Sequence, residues 1–559
     1  MPDVGEGSQN KTLVRGVLVL MPAALFTKLV GLFYKIPLLF IVGVEGMAYF
    51  LAAYHVYAVL FVLSATGLPT ALSLQIARAT ARGDPAATSR ILRVSLSAFL
   101  TVGTLGTLTL LLFADAFARM LAIQEAAGAI RAIAPSLLLA TFIGGVKGYF
   151  QGHSRMGATA IAEMLEAAGK LGFGLLFATL AKQEGRSAPD VAAAAVLGIT
   201  AGLVLSALFL AICLIFHRAR TRVAKAHCEL TRREILAELW RVALPVTLGA
   251  SVMSITSLLD TALISARLQA AGFAADVAHA MYSSYGNLAI PLYNLVPSLI
   301  TPITLSLMPL LGSAMARGEV ARIREAWGSA LRIVTLFCVP ASLGLAIFSV
   351  PLLSLIFTGQ ESAVAIAAPL LTVLATALLP AGMMTLMGAA LQATGSTGVP
   401  VLAALLGAIA KLVTECVLLT MPHIYLTGAP ISTVACTLTV LLVEWRALAR
   451  VLPFEPVSPR VLWRPLLAAL PAFGVGLCVY RWGLWHTSSP WFILAVIAVI
   501  GMIYVPAALR LRAVEKEDIL ALPQGARAVQ ILEGLHLLKG SEINDKRRKA
   551  AVHSAKEGI

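Results

Sequence analysis

Apolar runs of about twenty residues recur from Gly16 to the neighbourhood of Leu509, each long enough to cross about 30 Å of hydrocarbon as a helix. No soluble core could absorb them all. Of 559 residues, 59% are hydrophobic and 13% charged, with mean hydropathy +0.87; soluble domains are about 45–50% apolar and about 25% charged. The membrane is the solvent, and an all-α polytopic protein is expected. Fourteen spans are expected, at 16–41, 47–76, 91–113, 131–150, 159–181, 191–216, 238–264, 282–309, 328–349, 364–390, 399–421, 427–445, 463–480 and 490–509.

An even number of crossings puts both termini on one side. Basic residues concentrate in alternate connections: Arg78, Arg82, Arg90 and Arg93; Lys147 and Arg155; Arg218 to Arg233; Arg317, Arg322 and Arg324; and Arg446 to Arg464. By the positive-inside rule that set and both termini are cytoplasmic. The formal net charge of +15 therefore reports orientation, and nucleic acid is not an expected partner. The first apolar run passes Phe40 without a cleavage-site pattern, so it should remain in place. The tail after Arg510 should be a surface-lying helix with a disordered basic end. Six scattered cysteines lack C-x-x-C spacing, so neither a disulfide nor a metal is expected.

The chain repeats itself. Gln151 and Lys170 answer Gln392 and Lys411 at a common offset of 241, and Lys28 and Lys35 answer Asp260 and Arg267 at 232. Ala81-Arg82-Gly83-Asp84 answers Ala316-Arg317-Gly318-Glu319 at 235. Six spans separate the partners, so the halves insert in the same orientation, related by an axis along the membrane normal. The expected organisation is a cytoplasmic N-terminus (1–15), an N-lobe of six spans (16–217), a cytoplasmic linker (218–237), a C-lobe of six spans (238–445), two spans outside the repeat (463–509) and a basic tail (510–559).

A charge at mid-membrane costs at least about 2.5–3.5 kcal/mol, so such residues face a bundle interior or a wet cavity. Lys28 and Lys35 are seven apart, on one helical face, and Asp260 and Arg267 repeat that spacing. Glu163, Glu166 and Lys170 occupy i, i+3 and i+7, and Lys411 and Glu415 are four apart. Residues near span ends, such as Lys35, Arg267 and Glu163, can instead snorkel to the interface. Glu166 with Lys170, and Lys411 with Glu415, are expected to neutralise each other in part, leaving a cationic surplus on Lys28, Lys35 and Arg267. That surplus suits an anionic headgroup such as a pyrophosphate. Tyr285, Asn287 and Asn294 could bond sugar hydroxyls, although an interhelical contact is the commoner use of an intramembrane Asn. Prolines within spans, Pro69 and Pro291 among them, should bend their helices.

KLVGLFYKIPLLFIVGVEG from Lys28 and GLPTALSLQIARA from Gly67 resemble the stage V sporulation protein B family. So do GYFQG from Gly148, LPVTLGASVMSITSLLDTALISARL from Leu244, LQATG from Leu391, GAIAKL from Gly407 and TGAPIST from Thr427. The resemblance reaches to about Arg512 and is most specific at the first and seventh helices. That family, with the lipid II flippases, belongs to the multidrug, oligosaccharidyl-lipid and polysaccharide exporter superfamily. The resemblance implies two six-helix lobes and translocation of an undecaprenyl-pyrophosphate-linked sugar, most readily lipid II for peptidoglycan or a spore-cortex precursor. It also implies pyrophosphate contacts at Lys28, Lys35 and Arg267, a lipid-tail groove on the last two spans, and no cofactor. The chain departs from the pattern in having Lys rather than Arg on the first helix.

Where related flippases and exporters can hold a sodium ion between the seventh and eleventh helices, this chain has Lys411, whose ammonium is expected to take the cation's place beside Asp260. The alternative is that Lys411 pairs only with Glu415. A cation-coupled drug exporter would need acids to dominate the chamber, and a membrane-embedded glycosyltransferase would need a carboxylate- or His-based site on a sizeable outer loop; the sequence offers neither. Export of another polysaccharide repeat unit stays open. Expected partners are the lipid-linked oligosaccharide, membrane lipids and cell-wall synthesis proteins, with the chain itself a monomer.

Overall fold

The computed structural model describes residues 6–153, 155–220, 230–421, 424–454, 457–484 and 491–514, with side chains from Phe26 onward save scattered positions, Lys28 among them. The expected surface helix and basic end of the tail lie outside these residues, as do residues 221–229 of the 218–237 linker. Every regular element among the described residues is helical. In chain order they are α1 (Glu6–Phe61), α2 (Gly67–Ala81), α3 (Pro85–Leu112), α4 (Ala114–Met120), α5 (Ala127–Gly152), α6 (Met156–Gln183), α7 (Ala188–Arg220), α8 (Arg232–Ala270) and α9 (Ala275–Ser283). There follow α10 (Ile290–Ala316), α11 (Val320–Ile347), α12 (Ser349–Ile356), α13 (Glu361–Ala375), α14 (Leu378–Ala393), α15 (Gly398–Leu418), α16 (Gly428–Val451), α17 (Pro459–Leu484) and α18 (Phe492–Arg510).

Among the described residues eleven helices are long and apolar enough to cross a membrane, or twelve when α13 and α14, bent by 49°, count as one span. Of the fourteen expected spans, the first, 16–41, and the eighth, 282–309, fall in part on positions whose side chains lie outside the described ones. The first two expected spans run together in α1, whose 56 residues would extend about 84 Å if straight. The chain breaks instead at Gly43, with φ 81 and ψ 167, a conformation open in practice only to glycine. The eighth expected span is interrupted by a π-helical turn, Ser284–Ala289, before α10 begins. A second π-helical turn, Val62–Thr66, leads into α2. Each stands just ahead of a proline, Pro291 and Pro69, whose ring removes the donor that would bond the carbonyl four residues back.

Exposed faces are apolar. On α15, Leu405, Ile409, Val413 and Val417 recur every fourth residue and are all open, while Glu415 is buried. Such a stripe has no place in water and is what a lipid-facing helix presents.

The duplication is visible residue by residue in local geometry. Gly83 and Gly318 close matching turns with φ of 68 and 69. The 28-residue helices α3 and α11 then begin and end at the same offset of 235 that separates the two turns, and the short helices α4 and α12 start at it too. At the offset of 241, the last residue of α5, Gly152, falls on the last of α14, Ala393.

The chain divides into two compact units: Met1–Pro291 with Gln360–Leu370 and Ala404–Cys436, and Leu292–Gly359 with Leu371–Ala403 and Thr437–Ile559. In the first, α6 and α7 meet through glycines. A Cβ on Gly202 would stand 2.6 Å from the backbone N of Lys170 and 2.8 Å from the carbonyl oxygen of Glu166, an approach that only small residues permit. α8 starts on a capping box, the Thr231 hydroxyl accepting from Glu234 N at 3.2 Å and the Glu234 carboxylate from Thr231 N at 2.8 Å. In the second unit Trp327, Val334 and Cys338 of α11 pack against Leu386, Met387 and Leu391 of α14. There too α17 packs on α18 through Ala469, Ala472, Val496 and Ile500, and Tyr504 donates to the Leu336 carbonyl at 2.9 Å.

Candidate functional site

The first unit gathers most of the intramembrane polar residues. α8 places Asp260 one residue before Thr261, and α15 brings Lys411 to it: the ammonium is ion-paired and hydrogen-bonded to Asp260 Oδ2. Both side chains are largely buried, 12% and 15% exposed. Lys411 is not ion-paired to its expected own-helix partner, Glu415, one turn on. Glu415, fully buried, stands beside Asp260 and Ser432 and lies within electrostatic reach of Lys411. The expected Lys411–Glu415 neutralisation is thus replaced by an interhelical pair, because Asp260 offers an oxygen at bonding distance from a neighbouring helix.

Beside this pair the Thr261 hydroxyl joins three elements. It lies 2.6 Å from His55 Nδ1 on α1 and 2.9 Å from the Tyr282 hydroxyl on α9, and donates to the Ser257 carbonyl at 2.9 Å. His55 lies within electrostatic reach of Lys35, Asp260 and Lys411. Further along α1, Lys35 is partly buried and within reach of Lys170 on α6. The Lys170 ammonium sits 5.4 Å and 5.2 Å from the ring centroids of Tyr34 and Tyr54, a cation held by aromatic faces.

The expected Glu166–Lys170 pair does not form. Lys147 of α5 takes both acids instead, 3.4 Å from Glu163 and 3.8 Å from Glu166. Lys147 is itself a correction: grouped in the sequence with the cytoplasmic connections, it lies inside α5 with its side chain 15% exposed. Lys170 stays within electrostatic reach of Glu166 while its ammonium stands by the tyrosines.

Arg267 is exposed at the end of α8, with no hydrogen bond or ion pair to the described residues. The Lys28 side chain lies outside them. Tyr285 is buried 3.5 Å from the Thr433 hydroxyl. Asn287 donates at 3.2 Å to both the Met47 carbonyl and the Ser283 hydroxyl. Its amide therefore fastens α1 to the π-helical turn, the interhelical use weighed beside a sugar contact. Asn294 is exposed on α10. His55, Thr261, Tyr282, Tyr34 and Tyr54 were not picked out in the sequence; Tyr34 and His55 stand next to or near residues that were, but aromatic and hydroxyl groups in a span carry no cost that singles them out. Five cysteines are free, and no cluster of metal ligands occurs among the described residues.

Residues 13–315 match the polysaccharide biosynthesis protein family. The chain belongs to that family. Among curated relatives, stage V sporulation protein B of Bacillus subtilis is 25% identical over 80% of this chain and 85% of its own. Lipid II flippase MurJ of the same organism is 24% identical over 63% of this chain and 67% of its own. Among solved structures, lipid II flippase MurJ in an inward closed conformation aligns with TM-score 0.66 at 14% identity, covering 88% of this chain and 98% of that one. A multidrug resistance MATE family transporter of the MOP superfamily, inward-facing, aligns with TM-score 0.63 at 20% identity, covering 76% and 95%. The fold is that of the MurJ and MATE transporters. This polysaccharide biosynthesis family member is a multi-pass membrane protein.

Proposed function

We propose that the protein moves an undecaprenyl-pyrophosphate-linked sugar, lipid II in the first instance, from the inner to the outer leaflet by alternating access. In this reading it has two six-helix lobes plus two further spans, lies in the cytoplasmic membrane with both termini cytoplasmic, and works as a monomer among cell-wall synthesis proteins. One observation carries the reading: Lys35 lies within electrostatic reach of Lys170, whose ammonium stands 5.4 Å and 5.2 Å from the Tyr34 and Tyr54 ring centroids inside spanning helices, and like charges in low dielectric are unfavourable unless an anion joins them. A pyrophosphate supplies that anion, and Lys and Arg bind phosphate oxygens through charge-assisted hydrogen bonds. Lys28 and Arg267 complete the headgroup contacts, and Tyr285 and Asn294 are the remaining candidates for the sugar. The relatives named as lipid II flippase and sporulation protein support the substrate class.

The test is complementation of a strain depleted of its lipid II flippase, with outward exposure of labelled lipid II as readout. Wild-type chain should restore exposure; a Lys35→Ala, Lys170→Met variant should express and fail. Restoration by that variant would remove these cations from the mechanism.

A second reading, a cation-coupled exporter, is favoured by the buried Glu415 carboxyl beside Asp260. It requires that Glu415→Gln abolish efflux of an organic cation such as ethidium from cells carrying the protein.

A further inference from the structure

In the second unit five arginines converge on one cavity of about 340 Å³. Arg324 and Arg332 come from α11, Arg460 and Arg464 from the start of α17, and Arg512 from the turn after α18. No carboxylate stands among the described lining residues. The apolar wall includes Trp327 and Phe454, and the Arg324 guanidinium lies 5.1 Å from the Phe454 ring centroid. Arg464 Nη1 donates to the Arg512 carbonyl at 2.8 Å, and Arg512 holds a left-handed φ of 55, rare for a residue with a side chain. The positive-inside rule asks for basic residues at the ends of spans. It does not ask for five of them from three stretches of chain to surround one small volume.

We propose that this cavity binds the phosphate of an anionic phospholipid headgroup. Arginine forks match phosphate oxygens in pairs, and basic pockets between transmembrane helices on the cytoplasmic side hold anionic headgroups by this chemistry. The helix that supplies Arg460 and Arg464 also exposes Trp463, Leu467 and Leu470, three to four residues apart. A phosphate site and a lipid-facing apolar stripe therefore stand on one helix, with an interfacial tryptophan between them. That favours a lipid over a soluble phosphate. The site is separate from the charge cluster of the first unit, and its test reads binding rather than translocation.

The full chain, stripped of lipid in detergent, is incubated with phosphatidylglycerol, cardiolipin or phosphatidylcholine, and retained lipid is counted by native mass spectrometry. Anionic lipid should be retained in preference to phosphatidylcholine. The variant Arg324→Gln, Arg460→Gln, Arg512→Gln should lose that retention by about tenfold or more. A control of equal charge change elsewhere, Arg82→Gln, Arg93→Gln, Arg446→Gln, should keep it. Should the triple variant prove unstable, Arg324→Gln and Arg460→Gln singly are each expected to give a partial loss. Equal loss in the control and the triple variant would overturn the site. A second arm uses inorganic phosphate: thermal protection by millimolar phosphate that depends on the same arginines, with no preference for anionic lipid, would assign the cavity to a soluble anion and overturn the lipid.

Discussion

Lys411 and Asp260 lie where each charge alone would be costly, and they meet across α8 and α15. Removing one partner of a buried pair typically costs about 3–5 kcal/mol, because the other charge stays behind uncompensated. Lys411→Ala should therefore lower the melting temperature and yield of purified protein, and adding Asp260→Asn should recover part of the loss. Rescue by Glu415→Gln in place of Asp260→Asn would mean that the own-helix pair governs after all. The meeting of Lys411 and Asp260 was expected only through the resemblance, which puts a cation between the seventh and eleventh helices; spacing alone offered Glu415. The Lys147 link to Glu163 and Glu166 was not expected. Spacing of four on α6 supplied a ready answer in Lys170, and nothing in one sequence tells which neighbouring helix faces α6. Glu444 of α16 escaped notice for the same reason: it is 3% exposed, yet a lone acid near a span end reads as solvated.

Helices α6 and α7 are held at a distance set by hydrogen atoms. Gly202 meets the backbone of Lys170 and Glu166, so a side chain there must displace α6, the helix that carries Glu163, Glu166 and Lys170. Gly202→Val should cost about 1–3 kcal/mol as an overpacked contact and reduce transport together with melting temperature. Gly172→Ala, on the same α6 with open space around it, should be neutral or stabilising by up to about 1 kcal/mol. A Gly202→Val protein as stable and active as wild type would show that the close approach does not position the charges. The apolar period made these helices legible, as did the small residues along them. Which glycine meets which backbone depends on rotation about the helix axis, and composition does not report that. The break at Gly43 sat in the expected connection between spans, whereas the π-helical turns ahead of Pro69 and Pro291 were foreseen only as bends.

At the scale of the molecule, the matched turns at Gly83 and Gly318 both fall in connections expected on the cytoplasmic side. With native cysteines replaced, single cysteines at Arg82 and Arg322 should react with an impermeant thiol reagent only after the membrane is opened. Labelling from outside in intact cells would reverse the orientation. In proteoliposomes, translocation of the lipid-linked sugar is expected to proceed without sodium, since the Lys411 ammonium already stands beside Asp260; a strict sodium requirement would sink that idea. An ammonium bonded to the chain cannot diffuse away at either face. In the proposed cycle it returns with the protein on every turnover, so no sodium is carried through this site. The driving force must then act on the cargo itself, through the voltage felt by its charged headgroup or through its consumption on the far side, and turnover would answer to the pace of wall assembly rather than to the salt of the medium.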